Sequence, residues 1–397
     1  MSDRVRRTTV YKPTLPVYAY FDMSNSVGAA VVGTGMMGRV HAEALRRNGV
    51  TVFGVVGSSP ERAARQAAEA GLPQPYDSLA EALDDDRVSV VHICSPNHLH
   101  YEQALAALQA GKHVVCEKPL AMDPAQAAEL RDAAHASGLV HALCFIQRFY
   151  PLCQEAKRRV DAGEVGSVRL ISGSYLQDWL VDETDWNWRL DPALGGSLRA
   201  VGDIGSHWLD LAEYISGRRI EAVMADLTTA VPTRTRPDDP GVATFARAAA
   251  TGGQSVDVHT EDIAGVLLRF EGATRGVMTL SQVSPGRKNH LSIEVSGSAS
   301  SLQWNAENSE QLWIGHRDAP NEVMWRATGD YPPGHGQGYP DAFKGLFRTV
   351  YRAVAAGAPP AVPDYPTFDD GVEQALIADA IAESARRGQW ASVARPE

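Results

Sequence analysis

Short β-branched runs alternate with alanine-rich stretches of helical spacing along the first part of the chain. Val27–Val32 reads as a strand leading into a glycine turn. Gly38–Asn48 follows as a helix stopped by Gly49, then Val50–Val56 as a second strand, the helical Pro60–Ala70, and Gly71. Val88–Cys94 predicts a third strand, Tyr101–Ala110 a helix closed by Gly111, and Lys112–Cys116 a fourth strand. Pro124–Ser137 and Val140–Phe145 add a helix and a fifth strand. Strands alternating with helices of roughly 10–15 residues indicate βαβ units and a parallel sheet.

Beyond Pro151 the rhythm changes. Val168–Leu176 alternates in polarity, and Gly196–Ile215 reads as one helix ending at Gly217. Strands without intervening helices follow: Ile220–Thr228, Ile263–Phe270, Thr274–Gln282, His290–Ser296 and Gln311–Ile314. Phe270-Glu271-Gly272-Ala273-Thr274 reads as a hairpin connection. This succession predicts an antiparallel sheet and an α+β region. Pro232–Thr260, rich in Pro, Gly, Asp and Thr, reads as an exposed loop, and Tyr339–Ala356 and Thr367–Arg387 as closing helices.

At 397 residues the chain is long enough for two domains with separate cores. Its net charge of -11 argues against a nucleic-acid partner, which needs a basic face. No run of about 18 apolar residues exists, so no membrane span is expected. Arg4-Val5-Arg6-Arg7-Thr8 superficially resembles a twin-arginine signal, but Lys12, Pro13, Pro16 and Asp22 interrupt the apolar stretch such a signal needs. A cytoplasmic protein is therefore expected. Residues 1–22 read as an arm or as an over-long start, Met23 being a plausible alternative start. The four cysteines (Cys94, Cys116, Cys144, Cys153) read as small buried hydrophobes rather than a disulfide framework. No Cys/His cluster has zinc-site spacing, so no metal is expected.

Three motifs carry chemistry. Gly33-x-Gly35-x-x-Gly38 follows a predicted strand and opens a helix, the setting in which such a turn accepts a dinucleotide pyrophosphate; Met36 and Met37 lie within it. The second strand lacks the acid that would read an NAD ribose. Ser58, Ser59 and Arg62 stand there instead, suited to a 2′-phosphate, so NAD and NADP both stay open. Ser95-Pro96-Asn97 ends the third strand, placing Asn97 at the cofactor crevice or simply in a turn. Lys118 follows the fourth strand and faces the same crevice, where partial desolvation would let it exchange protons near neutrality. Asp203 and His207 are four apart on a predicted helix among Gly195, Gly196, Gly202 and Gly205. They form either an exposed ion pair or a proton acceptor with its orienting carboxylate. Tyr175, Trp179, Trp186 and Trp188 cluster with Asp178, Asp182, Asp185 and Arg189, a mixture suited to a sugar or cyclitol or to core packing. His335, in a Pro/Gly-rich loop, is a weaker pocket candidate.

In this order the motifs resemble the Gfo/Idh/MocA oxidoreductase family over nearly the whole chain after Met23. The resemblance rests on the glycine turn, Ser95-Pro96-Asn97 with His100, Glu117-Lys118-Pro119, Arg148-Phe149-x-Pro151, Gly202-Asp203-x-Gly205-x-His207-x-x-Asp210 and Pro366-Thr367-Phe368-x-Asp370-Gly371. It implies an α/β fold. An arm would cover 1–26, a Rossmann dinucleotide-binding domain 27–147, and an α+β substrate-binding and oligomerisation domain with a large, mostly antiparallel open sheet 148–397. It also implies that Lys118, Asp203 and His207 form the catalytic set, that His100 and Glu117 line the cofactor site, and that Gln147 and Arg148 help to bind substrate. Gln147 stands where the family commonly has asparagine. Within the family the chain is most similar to inositol dehydrogenases and to levoglucosan or glucoside 3-dehydrogenases. The expected activity is NAD(P)-dependent oxidation of a secondary hydroxyl on a pyranoside, anhydrosugar or cyclitol, by a homo-oligomer (dimer or tetramer). A redox-cycling glycoside hydrolase and a non-catalytic sugar or dinucleotide sensor on the same fold are the alternatives.

Overall fold

The predicted alternation closes into a six-stranded parallel sheet. The computed structural model describes residues 27–69, 71–238, 253–326, 329–332 and 334–395; the predicted arm lies outside them. The elements run β1 (Gly28–Val32), α1 (Met36–Arg47), β2 (Thr51–Val56), α2 (Pro60–Glu69), β3 (Pro75–Tyr76), α3 (Leu79–Asp84) and β4 (Val88–Ile93). They continue with α4 (His100–Gln109), β5 (His113–Cys116), α5 (Pro124–Ser137) and β6 (His141–Leu143). The order β3-β2-β1-β4-β5-β6 reverses direction between β1 and β4, where an open α/β sheet forms its ligand crevice. All five residues of β1 are buried, as a strand covered by helices on both faces requires. Local chemistry agrees with the pattern at α5: the Asp123 side chain accepts from the Ala125 and Gln126 amides, Pro124 opens the helix, and Gly138 ends it at φ 66°.

The second region comprises α6 (Pro151–Asp161), β7 (Val168–Leu176), α7 (Pro192–Gly195), α8 (Ser206–Ser216), β8 (Ile220–Thr228), β9 (Thr233–Arg236) and β10 (Gln254–Asp257). Then follow β11 (Ile263–Phe270), β12 (Arg275–Ser281), β13 (His290–Gly297), β14 (Ser300–Asn305), β15 (Gln311–His316), β16 (Glu322–Trp325), α9 (Tyr339–Ala355), α10 (Phe368–Arg387) and β17 (Ala391–Ser392). Its nine-stranded sheet has the order β16-β15-β14-β13-β7-β12-β11-β8-β17. Every neighbour pair is antiparallel except β7 with β12. One face packs under α8, whose fully buried Trp208 donates to the Ser292 carbonyl at 2.9 Å. A Cβ on Gly173 would lie 2.0 Å from that same carbonyl oxygen, so this approach needs glycine. The other face leaves Leu170, Leu267 and Val277 exposed on neighbouring strands.

Two expectations need correction. The single helix over Gly196–Ile215 instead begins only at Ala200, after the separate short α7, and runs through a wide π-type turn at Val201–Gly205 before continuing as α8 from Ser206. Gly202 and Gly205 weaken regular helix there, and the Glu261 carboxylate takes the Arg199 and Val201 amides at 3.1 and 2.8 Å. The stretch Pro232–Thr260 is not simply an exposed loop. Its described ends pair as β9 and β10, and Arg234, Val258 and Thr260 are buried. At the far end of the chain α9 and α10 return to the parallel sheet, where Phe368 and Val372 share a core with Leu120 and Leu143. Among the described residues no helix is long and apolar enough to cross a membrane.

Candidate active site

The glycine turn separates what the protein itself demands from what a ligand would demand. Gly33 has φ 106°, and a Cβ there would sit 2.5 Å from the Cys94 carbonyl oxygen; one on Gly38 would sit 1.8 Å from the Gly33 oxygen. Those two glycines are required by the fold. A Cβ on Gly35 would meet no protein atom within 4 Å, and its backbone, at φ -70° and ψ -167°, suits any residue. The space beside Gly35 lies at the start of α1, which has no side-chain cap and no acid in its first turn. Free amides, a helix-dipole terminus and open space together fit a dinucleotide pyrophosphate. Around the turn, Met36 is exposed, and the Met37 sulfur accepts from the Tyr339 hydroxyl at 3.6 Å. At the end of β2, Ser58 is exposed, the Ser59 hydroxyl accepts from the Arg62 amide at 3.3 Å, and Arg62 is half-buried.

Lys118, just past β5, is pinned from the other domain. Its ammonium donates to both the carbonyl oxygen and Oδ1 of Asp203, at 2.7 and 2.8 Å. Arg189 Nε reaches the same Oδ1 at 3.1 Å, its guanidinium lying 4.4 Å from the Trp188 ring centroid. The predicted Lys118, Trp188, Arg189 and Asp203 are thus brought together. Burial works against a charged Asp203, but Arg189 and Lys118 outweigh it and hold the carboxyl well below the usual range. His207 is pushed down to about 3, first by burial and then by the Lys118 cation, with Glu117 and Asp203 opposing. It is therefore a neutral imidazole whose buried Nδ1 meets no partner, with the Phe145 and Tyr175 rings beside it. Glu117 accepts from His41 at 3.0 Å and is also held below its ordinary value: burial opposes the charge, and His41, Lys118 and His207 favour it.

Gln282 was missed by the sequence reading. Fully buried at the end of β12, it donates from Nε2 to Asp203 Oδ2 at 2.9 Å and accepts at Oε1 from Arg199 Nη1 at 2.9 Å. Arg199 has no acceptor atom, so the amide orientation is fixed and Nε2 must face Asp203. Arg199 and Arg234 both pair with the buried Asp262, anchoring the network in the core. The only hint in the sequence was a glutamine closing an alternating strand.

Other candidates are placed differently. Gln147 is 2 % exposed, with Oε1 buried and unpartnered, which suits a ligand contact. Arg148 spans Asp210 and Asp370, its Nε and Nη2 donating to carboxylates of α8 and α10. His100 is fully buried, with ring nitrogens at 2.7 Å from the Pro119 carbonyl and 2.9 Å from that of Ser95, bracing two loops from behind. The Asn97 amide donates to the Gly195 carbonyl at 2.9 Å, and Ser95 donates to Gln103 at 2.6 Å. Trp179 donates to Gln177 at 2.8 Å and packs on a small cluster of Leu180, Leu190 and Val258. His335 is exposed, its ring on the Pro332 carbonyl of its own loop.

Comparison with known proteins agrees with this geometry. Residues 27–144 match the oxidoreductase family with an NAD-binding Rossmann fold, and residues 153–303 match the GFO/IDH/MocA C-terminal domain. The chain is 31% identical over 391 residues to levoglucosan dehydrogenase of Pseudarthrobacter phenanthrenivorans, covering 93% of this chain and 98% of that protein. The chain belongs to the Gfo/Idh/MocA oxidoreductases. It is also 35% identical over 196 residues to D-glucoside 3-dehydrogenase of Escherichia coli, covering 49% of this chain and 55% of the other. A solved levoglucosan dehydrogenase in complex with NADH and levoglucosan superposes with a TM-score of 0.83 at 29% identity, covering 93% of this chain and 100% of that one.

Proposed function

We propose that this oxidoreductase converts a secondary ring hydroxyl of an anhydrosugar, pyranoside or cyclitol to a ketone, with Lys118, Asp203 and His207 as the reacting set. The observation that carries the reading is a buried ammonium past the end of β5, held by Asp203, with a neutral imidazole within its electrostatic reach. The nicotinamide, when bound, supplies the hydride acceptor. As the C–H bond breaks and its electron pair leaves with the hydride, His207 accepts the hydroxyl proton and the Lys118 ammonium stabilises charge building on the oxygen. Asp203 fixes the ammonium through two hydrogen bonds. Gly33, Gly35 and Gly38 would hold the pyrophosphate, with Ser58, Ser59 and Arg62 at the adenosine end. Trp188, Arg189 with its bond to Asp203, and Gln147 with its buried, unpartnered Oε1 supply an aromatic face and polar contacts suited to a sugar. The known activity of the similar levoglucosan and glucoside dehydrogenases supports this substrate class.

The exposed Leu170, Leu267 and Val277 support a homo-oligomer built on the open sheet face. Light scattering that finds a monomer would remove that part of the reading. The activity itself is tested by following reduced-nicotinamide absorbance with NAD and NADP against anhydrosugars, pyranosides and inositols. A rise with at least one polyol is expected. A flat panel with cofactor bound would overturn the reading, and glycoside cleavage without NADH build-up would identify a redox-cycling hydrolase.

A further inference from the structure

Behind the candidate active site a chain of four buried side chains crosses the parallel sheet. Glu117 Oε1 lies 3.0 Å from His41 Nε2, His41 Nδ1 lies 3.0 Å from His92 Nδ1, and His92 Nε2 lies 3.0 Å from the Tyr351 hydroxyl. His41, His92 and Tyr351 are fully buried, and Glu117 nearly so. The four come from the turn after β5, from α1, from β4 and from α9. Two facing Nδ1 atoms form a hydrogen bond only if one of them carries the hydrogen.

With Glu117 ionised, three arrangements meet that condition. In the first, His41 is doubly protonated and donates to His92, which donates on to Tyr351. The phenolic hydrogen is then left buried without an acceptor, and a cation sits in the core. In the second, both imidazoles are neutral and every group is matched. Tyr351 donates to His92 Nε2, His92 Nδ1–H donates to His41 Nδ1, and His41 Nε2–H donates to the Glu117 carboxylate. In the third, His92 is doubly protonated and donates to both His41 and Tyr351, which the burial of His92 disfavours; the full burial of His41 likewise disfavours the cation of the first, leaving the second.

We infer that Tyr351, His92 and His41 are positioning residues: a one-directional relay that holds Glu117 as an oriented carboxylate beside Lys118 and His207. The inference rests on the reading of those two residues as the reacting pair. Tyr351 is itself fully buried, so the chain ends inside the core and orients a charge instead of conducting protons to solvent. Lys118 faces Glu117 from its own loop, His207 from α8, His100 from α4 and Tyr339 from α9. The thiols of Cys94, Cys116 and Cys144 also surround it, and burial and the carboxylate together keep them protonated. The Glu117 charge opposes the effect of Lys118 on His207, so losing it would leave the imidazole a poorer proton acceptor.

The test is ring-nitrogen NMR of 15N-histidine in the full chain without cofactor, from about pH 5.5 to about pH 8. Wild type should show His41 neutral with its hydrogen on Nε2 and His92 neutral with its hydrogen on Nδ1 throughout. Tyr351→Phe keeps the ring but removes the terminal donor. It should let one or both imidazoles change tautomer or titrate, and, by weakening the hold on the Glu117 charge that supports His207, should move the acid limb of kcat/KM downward by about one pH unit. Phe347→Leu is the control: its ring packs 4.8 Å from both imidazole centroids without bonding to either. It should lower stability and leave tautomers and acid limb unchanged. A doubly protonated His41 or an Nε2-protonated His92 in wild type would overturn the relay. So would a Tyr351→Phe variant that loses only stability. Because the spectra need no turnover, they judge the relay even if no polyol is oxidised.

Discussion

Gln282 shows at the level of one residue how this site is held. A single amide joins Asp203, which pins Lys118, to Arg199 and through it to the core ion pair with Asp262. Gln282→Leu keeps most of the volume but strands a buried guanidinium hydrogen and a carboxylate oxygen. We expect a loss of roughly 2–4 kcal/mol in urea unfolding, together with a fall of about tenfold or more in kcat/KM; unchanged stability would contradict the network. Lys118, Asp203 and His207 were legible in sequence because each sits in a short motif at a strand end or on a helix. Gln282 and Arg199 were not, since their partners are fixed only by the fold, far along the chain. Arg148 and His100 were named from motif membership, which does not tell which way a side chain faces. Their opposing carboxylates and carbonyls come from other elements.

At the level of elements the glycine turn makes a sharp contrast. Gly38→Ala would force a Cβ against the Gly33 carbonyl oxygen and should cost about 3 kcal/mol or more in stability. Gly35→Ala has room and a permissive backbone, so its stability should stay within about 0.5 kcal/mol of wild type. Its NADH affinity, read by fluorescence titration, should nevertheless weaken about tenfold, because the methyl group would enter the proposed pyrophosphate space. Unaltered binding would place the pyrophosphate elsewhere. The three glycines were visible as a motif, but which of them serve the fold needed the packing. The π-type turn carrying Asp203 was not visible, because helical periodicity looks the same on either side of it.

A second element-level prediction concerns the start of α10, where neutral His141 Nδ1 accepts from the Phe368 amide at 3.2 Å. Burial, and then His135, pushes His141 down to about 4. In the unfolded chain it titrates near its ordinary value, so below about pH 6.5 the unfolded state binds a proton that the folded state refuses. Stability therefore falls as pH drops from there toward about 4. Relative to His141→Gln, wild type should lose about 2 kcal/mol between pH 7 and pH 5 in urea titrations. Parallel curves would contradict this.

For the whole molecule, the alternation of strands and helices foretold the parallel sheet, and the run of strands after it foretold the second sheet. The return of α9 and α10 to the first sheet was not foretold. Amphipathic helices show that a face is buried but not against what, and here Phe368 and Val372 join the Rossmann core. Lys118 comes from the parallel-sheet region, whereas Asp203 and His207 come from the second region, so the candidate site exists only when the two are assembled. Because its ammonium is the bridge between them, Lys118→Met gives the most direct test of the account. The measurement is the single-turnover rate of nicotinamide reduction, wild type against Lys118→Met, on whichever polyol is oxidised fastest, with NADH binding measured alongside. The account predicts unchanged cofactor affinity and a rate lower by about a hundredfold or more. A variant that reduces the cofactor at the wild-type rate would contradict it.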